Sequence, residues 1–235
     1  MTSESNSPQD DYRPFNPLDY ANLTKNVVEE LMRQAATSLP VAQPFRGGGV
    51  YALFYTGDDE DYAPFRSVQA KAPIYVGKAV PSGGRKGGTS GFVVKKELYD
   101  RLKQHAGSID AVENLALGDF LCRYLVVEPL WIVMAERFLI TRFQPLWNLV
   151  LDGFGNHNPG KGRHEGQNTL WDVYHPGRPW AKSLKQTRDR ETIRKIIQEF
   201  ADARIGNPGM VDELAEKAAE AEAAESDDEL DDAES

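Results

Sequence analysis

The sequence contains only one cysteine, and this scarcity removes several classes of protein at once. Cys122 has no partner for an intrachain disulfide, and a zinc site built from several cysteines is impossible. The residue lies in the apolar run FLCRYLVV, which favours a buried, unreactive thiol. No apolar run approaches the length of a membrane-spanning helix, and the polar start MTSESNSPQDD lacks the basic-then-apolar order of a signal peptide. We therefore expect a soluble, cytoplasmic protein.

A net positive charge, which would favour a nucleic-acid partner, is also lacking in the chain as a whole. The formal net charge is −9, and residues 211–235 hold 12 acidic residues and one lysine. Removing the −11 of that segment and the −4 of residues 1–30 leaves a charge of +6 on residues 31–210. A basic middle can contact a phosphate backbone by releasing its counterions. An ordinary mixed surface with solubilising acidic ends explains the charge distribution equally well.

The length of 235 residues suits one domain of moderate size with additional terminal segments. Residues 1–44 predict a polar arm followed by a helix, because apolar residues recur at helical spacing over 19–38 and Asp19 is a suitable cap. Residues 45–205 are predicted to form the main domain. Residues 206–235 are mostly Ala, Glu and Asp and predict a disordered acidic tail, because little there can be buried.

Within the main domain, apolar periodicity and turn residues locate the expected elements. Strands are predicted over 49–55, 73–77 and 119–127, and helices over 94–105, 129–143 and 189–202. We expect the first of these helices to stop near Gly107. The helix of 129–143 starts at Pro129 and is apolar nearly all round, so we expect it to be the most buried. The glycine-rich loop 81–92 lacks the spacing of a phosphate-binding P-loop.

The first two strands each place a tyrosine beside a glycine. Gly-Val-Tyr at 49–51 opens the run GVYALFY, and Tyr-Val-Gly at 75–77 closes the run PIYVGK. On adjacent strands, Tyr51 and Tyr75 can direct their hydroxyls into one pocket. Half-buried tyrosines are common in strands, so the pair by itself carries little weight.

Four further residues follow in an order that suits phosphodiester hydrolysis. Arg101 and His105 are four residues apart and share one face of a helix. Arginine offers a planar donor fork for phosphate, and histidine can accept a proton. Glu136 stands in an apolar helix, where a carboxylate is costly to bury unless it is paired or metal-bound. Asn148 follows in a short connection.

Each of these residues also has an ordinary structural explanation. The tyrosines can be packing residues, and the Arg101–His105 pair can be a solvated helix face. Glu136 can form a buried ion pair, and Asn148 can be a turn or cap residue. The candidate partners of Glu136 in that case are Arg123, Arg137 and Arg142.

The ordered set resembles the GIY-YIG nuclease superfamily and, within it, the small type II restriction endonucleases. The resemblance covers roughly residues 45–180, and both motifs carry Val where the family name has Ile. It implies an α+β fold in which a small antiparallel three-stranded sheet is flanked by helices, with loop insertions and terminal arms. It also implies Mg²⁺ as the cofactor, with Mn²⁺ as a substitute, and Glu136 as the only protein ligand of the metal.

The resemblance further implies a role for each residue of the set. Tyr51 would be the general base or would position the attacking water, and Tyr75 would contact the scissile phosphate or the water. Arg101 would stabilise the transition state, and His105 would assist Tyr51 or contact the phosphate. Asn148 would orient nearby groups.

The stretch DGFGNHNPGKGR and the later WDVYHPGRPW look closest to one restriction subgroup, whose members act as homodimers on double-stranded CCGCGG sites. A cognate DNA methyltransferase is the further partner expected of such a system. No association with a membrane is expected. Basic residues around the motifs are candidate DNA contacts, namely Lys78, Arg85, Lys86, Lys95, Lys96, Lys161, Arg163, Arg178 and Lys182. Three histidines fit no tetrahedral zinc spacing and are interpreted as loop, packing or DNA-contact residues, namely His157, His164 and His175.

Two other functions compete with restriction. A repair or homing nuclease with the same core usually carries a separate DNA-binding or partner domain, for which this chain has little room. A non-catalytic DNA-binding protein with a decayed core is disfavoured by the intact set of six residues.

Overall fold

The apolar runs of the main domain form one antiparallel sheet between two groups of helices. A computed structural model describes residues 18–81, 95–156, 167–186 and 188–206. In chain order the helices and strands are α1 (Tyr20–Arg33), β1 (Thr37–Ser38), β2 (Gly49–Tyr55), β3 (Tyr75–Ala79), α2 (Glu97–Asp110), β4 (Phe120–Val126), α3 (Ile132–Phe143), α4 (Leu146–Leu149), α5 (Leu170–Tyr174) and α6 (Arg190–Gly206). Short 3-10 helices span Glu60–Phe65, Leu117–Asp119, Pro129–Trp131 and Ala181–Ser183.

The sheet has the strand order β1-β4-β2-β3, and every neighbouring pair is antiparallel. The expected α+β class is therefore confirmed. The sheet has four strands rather than three, because Thr37 and Ser38 add a two-residue edge alongside β4. β2 lies in the centre and is buried along its whole length. β3 forms the opposite edge of the sheet.

Alternation along β2 sends its side chains into two separate cores. Val50, Ala52 and Phe54 pack with Leu31 of α1 and Leu139 of α3 on one face. Tyr51, Leu53 and Tyr55 belong to the core on the other face, which also contains α2, α4 and α6. Tyr51 consequently faces α2, the helix that carries the predicted arginine and histidine.

The predicted N-terminal helix is confirmed, with a shorter C-terminal end. The side chain of Asp19 accepts a hydrogen bond from the Ala21 amide at 2.9 Å and caps the first turn. The helix stops at Arg33 rather than at residue 38, because Thr37 and Ser38 pair with β4. Its apolar stripe packs on α3, so α1 is part of the core that covers the sheet.

Two expectations about helices are wrong. α2 continues through Gly107 to Asp110, and the Gly107 carbonyl accepts from the Ala111 amide in the last turn. Gly107 faces open space, so neither packing nor a left-handed turn ends the helix there. α3 is not the most buried element, because α1 covers only one side of it. Leu130 just before α3 is 82% exposed and Val133 within it is 58% exposed.

Several predictions fall outside the described residues. These are the polar arm, most of the glycine-rich loop with Arg85 and Lys86, the segment with His157, Lys161, Arg163 and His164, and the acidic tail. Within the four described ranges, no helix combines the length and apolar character that a bilayer crossing requires. Cys122 is fully buried in β4, and burial raises the pKa of its thiol to about 11, as expected for an unreactive cysteine.

Candidate active site

The six residues of the predicted set lie on five elements that meet around the β3 edge. Tyr51 lies in the middle of β2 and Tyr75 at the start of β3. The remaining four are Arg101 and His105 on α2, Glu136 on α3 and Asn148 on α4. α2 approaches β3 from one face of the sheet and α3 from the other.

Close packing explains the glycine in each tyrosine motif. Tyr51 is paired with Gly77 across the two strands. A Cβ atom at Gly77 would lie 2.3 Å from the Tyr51 hydroxyl, so only glycine leaves room for that side chain. A Cβ atom at Gly49 would lie 2.0 Å from the Leu125 carbonyl oxygen of β4. The first glycine thus permits the sheet to form, and the second permits the tyrosine to point into the site.

A hydrogen bond joins the first tyrosine to the histidine of α2. The Tyr51 hydroxyl lies 2.5 Å from Nε2 of His105. Tyr51 has no exposed surface, and His105 is 2% exposed. His105 is therefore not part of a solvated helix face. The rings of Tyr51 and Tyr75 lie with their centroids 6.1 Å apart, and that of Tyr75 lies 5.4 Å from the imidazole.

Arg101 provides the positive charge beside both phenols. Its guanidinium is close enough to the hydroxyls of Tyr51 and Tyr75 to lower the pKa of both phenols. Burial raises the pKa of Tyr51 well above its ordinary value, and the neighbouring Tyr75 raises it further, whereas Arg101 lowers it. Burial is also the main cause that raises the pKa of Tyr75, again opposed by Arg101. Both phenols are therefore neutral at physiological pH.

Glu136 approaches β3 from the opposite face and forms an ion pair with Lys78 of β3. The side chains are 17% and 36% exposed respectively, so the carboxylate is partly accessible. None of the three expected arginines is its partner in this ion pair. Arg123 instead donates to the carbonyl oxygens of Met32 and Ala70. The negative charge of Glu136 is close enough to Tyr75 to raise the pKa of that phenol.

Asn148 forms two hydrogen bonds with the β3 backbone at Val76. Its Oδ1 accepts from the Val76 amide at 2.8 Å, and its Nδ2 donates to the Val76 carbonyl at 2.9 Å. The side chain therefore replaces a neighbouring strand at the residue directly after Tyr75. This pair of hydrogen bonds holds the β3 backbone in position at Val76.

The described candidate DNA contacts differ in their surroundings. Lys95, Lys96 and Lys182 are exposed, and Lys78 is shared with Glu136. Arg178 is completely buried and was wrongly predicted to contact DNA. Its Nε atom lies 2.6 Å from the Asp172 carboxylate, and its guanidinium lies against the rings of Trp171 and Trp180.

His175 is a packing residue and not a surface loop residue. It is buried, and its Nε2 lies 2.5 Å from the Tyr62 hydroxyl. Its Nδ1 lies 2.9 Å from Oδ1 of Asn114. Burial is the main cause that lowers the pKa of His175 well below its ordinary value. Among the residues that the structure describes, no group of three or more His, Cys, Asp or Glu side chains is placed to hold a metal.

Two residues that contact the predicted site were not identified from the sequence. The ring of Phe154 stacks on His105 with a centroid distance of 4.5 Å and an interplanar angle of 19°. The Gly155 carbonyl accepts a hydrogen bond from Arg101 at 2.7 Å. The only sequence signal was the glycine-rich character of DGFG, in which Gly153 adopts a φ of +94°.

A tyrosine pair on adjacent antiparallel strands, with an arginine and a histidine from one helix and a carboxylate from another, is the arrangement of a GIY-YIG nuclease. Residues 43–201 match the family model described as the Eco29kI GIY-YIG domain. The match covers more than half of the chain, so the chain belongs to this family of restriction endonucleases. None of the curated proteins matches it. Family membership implies that the chain binds DNA and cleaves it.

Proposed function

We propose that this chain is a type II restriction endonuclease that cuts both strands of DNA within a G·C-rich palindrome, CCGCGG. In this proposal it acts as a homodimer with Mg²⁺, or Mn²⁺ as a substitute, at Glu136. The observation that carries the proposal is the 2.5 Å contact between the Tyr51 hydroxyl and His105, next to Arg101. A buried phenol joined to an imidazole is suited to move a proton.

Hydrolysis requires that the attacking water lose a proton. Burial disfavours a free phenolate at Tyr51, so the phenol cannot act as a base by simple ionisation. It can accept the water proton while its own proton passes to Nε2 of a neutral His105. The pair thereby combines the two roles implied for these residues, with Tyr51 nearest the water and His105 as the final acceptor.

Arg101 supplies fixed positive charge at the same place. Its guanidinium is already held by the Gly155 carbonyl, so little reorganisation is needed when negative charge develops on the phosphate. Its proximity also lowers the pKa of Tyr51 and of Tyr75, which makes it easier for each phenol to release its own proton.

The surroundings of Glu136 fit a divalent cation. The Glu136 carboxylate is paired with the Lys78 ammonium and remains partly exposed, which supports a role in binding a cation. Mg²⁺ is often held by one or two carboxylates, with waters and phosphate oxygens completing its shell. When bound, the metal would polarise the phosphate and stabilise the leaving oxygen. Glu136 is its proposed ligand, and Lys78 is then available for the phosphate.

Dimerisation follows from the symmetry of the proposed target. A palindrome presents two equal half-sites, and a two-fold dimer presents two equal reading surfaces. Each subunit would cut one strand. Reading of guanine calls for Arg or Lys in the major groove, and the exposed candidates among the described residues are Lys95, Lys96 and Lys182. A methyltransferase of the same specificity would protect the host DNA.

A repair or homing role remains the second enzymatic candidate, and the restriction character of the matched family disfavours it. A non-catalytic DNA-binding protein is disfavoured by the connected network from His105 to Arg101. Incubation of the purified protein with a sequenced plasmid and Mg²⁺, with an EDTA control, tests all three functions. Sequenced ends that share CCGCGG support the proposal. Heterogeneous ends would favour a repair nuclease, and binding without any cleavage would favour a binding protein.

A further inference from the structure

We propose that Arg178 is a positioning residue of the active site, which it serves by fixing the loop Gly153–Gly155 against His105, Tyr75 and Arg101. The inference rests on the proposed nuclease function of that site. Arg178 does not contact the site itself, and its effect is transmitted through the loop.

Arg178 binds the loop through two hydrogen bonds. Its Nη1 donates to the Phe154 carbonyl at 3.1 Å, and its Nη2 donates to the Gly153 carbonyl at 2.9 Å. Its Nε donates to the Asp172 carboxylate at 2.6 Å. One planar guanidinium therefore joins two successive loop carbonyls to α5. A lysine ammonium carries the same charge but lacks this fork.

Arg178 is itself held in place by the side chains around it. Arg178 has no exposed surface, and the side chain of Asp172 is 2% exposed. The other carboxylate oxygen of Asp172 accepts from the Thr169 hydroxyl at 2.9 Å. The guanidinium also lies over the rings of Trp171 and Trp180, at 4.5 and 4.7 Å from their centroids. A buried charge with these contacts has few alternative positions, so the loop that it binds is fixed in one position.

The loop in turn contacts the site. Phe154 stacks on His105, and its ring lies 4.9 Å edge-on from Tyr75. The Gly155 carbonyl orients Arg101. A Cβ atom at residue 155 would lie 2.7 Å from the Tyr75 hydroxyl. Displacement of the loop would therefore move three groups of the site at once, and small misplacements of catalytic groups are expensive.

The principal variant is Arg178→Lys, and Arg194→Lys is the control for loss of an arginine–carboxylate contact. Arg194 also has its Nε 2.6 Å from a carboxylate, that of Asp61, but its side chain is 51% exposed and it lies on α6. We expect Arg178→Lys to lower the single-turnover cleavage rate by about 10- to 100-fold, with unchanged DNA affinity in EDTA. We expect Arg194→Lys to cleave at the wild-type rate.

A double-mutant cycle with Gly155→Ala separates positioning from general stability. Gly155→Ala disturbs the loop from the other side without touching the buried ion pair. If both changes act through the same loop, the second should lower the rate by less than about threefold once the first is present. Effects that multiply, or a rate for folded Arg178→Lys within threefold of wild type, would overturn the inference.

A second variant covers the case in which Arg178→Lys does not fold. Arg178→Met with Asp172→Leu replaces the buried pair by apolar side chains, a change that proteins often tolerate. We expect this variant to fold and to show the same loss of cleavage rate, because the loop carbonyls lose their fork. A fully active folded variant would refute the positioning role.

A spectroscopic measurement is independent of cleavage. We expect the ring of Phe154, stacked on His105 at a centroid distance of 4.5 Å, to shift the proton resonances of the imidazole, which His105→Gln would assign. These resonances should move in Arg178→Lys and stay in place in Arg194→Lys. If wild-type protein cleaves no plasmid but these resonances still move, the proposed function fails, whereas the coupling of Arg178 through the loop to His105 is supported. If cleavage is normal in wild type and the resonances do not move, the inference is wrong.

Discussion

Replacement of Tyr51 by Phe tests the proposed proton path most directly. The variant keeps the aromatic ring in the core and removes only the hydroxyl that lies 2.5 Å from His105. Loss of a general base typically costs about 10²- to 10⁴-fold in rate. We expect a cleavage rate reduced by that factor, which corresponds to ~3–5 kcal/mol of transition-state stabilisation.

The expected effect on stability is smaller and of a different kind. Removal of the hydroxyl leaves a buried imidazole nitrogen without its partner, which costs ~1–3 kcal/mol. Small domains are usually stable by at least ~5 kcal/mol, so more than about 90% of the variant would remain folded. Unfolding therefore cannot account for a hundredfold loss of activity.

Tyr55→Phe is the matched control. Tyr55 lies on the same strand and the same face as Tyr51, is 2% exposed, and accepts one hydrogen bond from the Asp59 amide. Its hydroxyl is not part of the site. Single-turnover cleavage, DNA binding in EDTA and thermal unfolding should be measured for both variants. Near-normal cleavage by Tyr51→Phe, or an equal loss in Tyr55→Phe, would remove Tyr51 from the proton path.

Four further predictions address the metal, the acidic tail, the buried phenols and the thiol. Glu136→Ala should abolish Mg²⁺-dependent cleavage and retain DNA binding in a mobility-shift assay; cleavage by this variant would exclude Glu136 as the metal ligand. Deletion of residues 211–235 should preserve the thermal transition and strengthen non-specific binding in a salt titration, because an acidic tail competes with DNA for basic surface; loss of folding would contradict the prediction. The free energy of unfolding should fall as pH rises above about 10, the usual phenol pKa. Burial raises the pKa of Tyr51, Tyr62 and Tyr75 in the folded state, so the unfolded chain loses protons first. A chemical-denaturation midpoint that stays constant from pH 8 to 11 would contradict this prediction. Cys122, with a pKa of about 11 and no exposed surface, should react with a thiol reagent at pH 8 only after unfolding, and rapid labelling of native protein would show that β4 opens.

The sequence predicted the parts of the site that depend on local pattern. Tyr51 and Tyr75 were placed on strands by the runs around them, and Arg101 and His105 were placed on one helix face by their spacing. The order of elements and the α+β class followed in the same way. Period and spacing are properties of the chain alone, so they can be read without coordinates.

Expectations that depended on what covers an element were less accurate. The apolar composition of α3 suggested burial on all sides, but α1 and the sheet cover only part of its surface. Lys78 and not an arginine pairs with Glu136, because the alternation of β3 directs that lysine towards α3. Neither outcome can be derived from the residues of one element.

Arg178 shows the difference between what local sequence pattern can predict and what depends on tertiary packing. By itself the sequence indicated candidate residues for phosphodiester chemistry and placed five of the six on their strands and helices, because backbone periodicity is local. Asn148, expected in a short connection, lies in α4. Only the tertiary structure decided that Arg178 is buried beside Asp172 and grips the loop carrying Phe154 and Gly155. The reason is physical, since the cost of burying a charge depends on partners that are distant in the chain and become neighbours only when it folds.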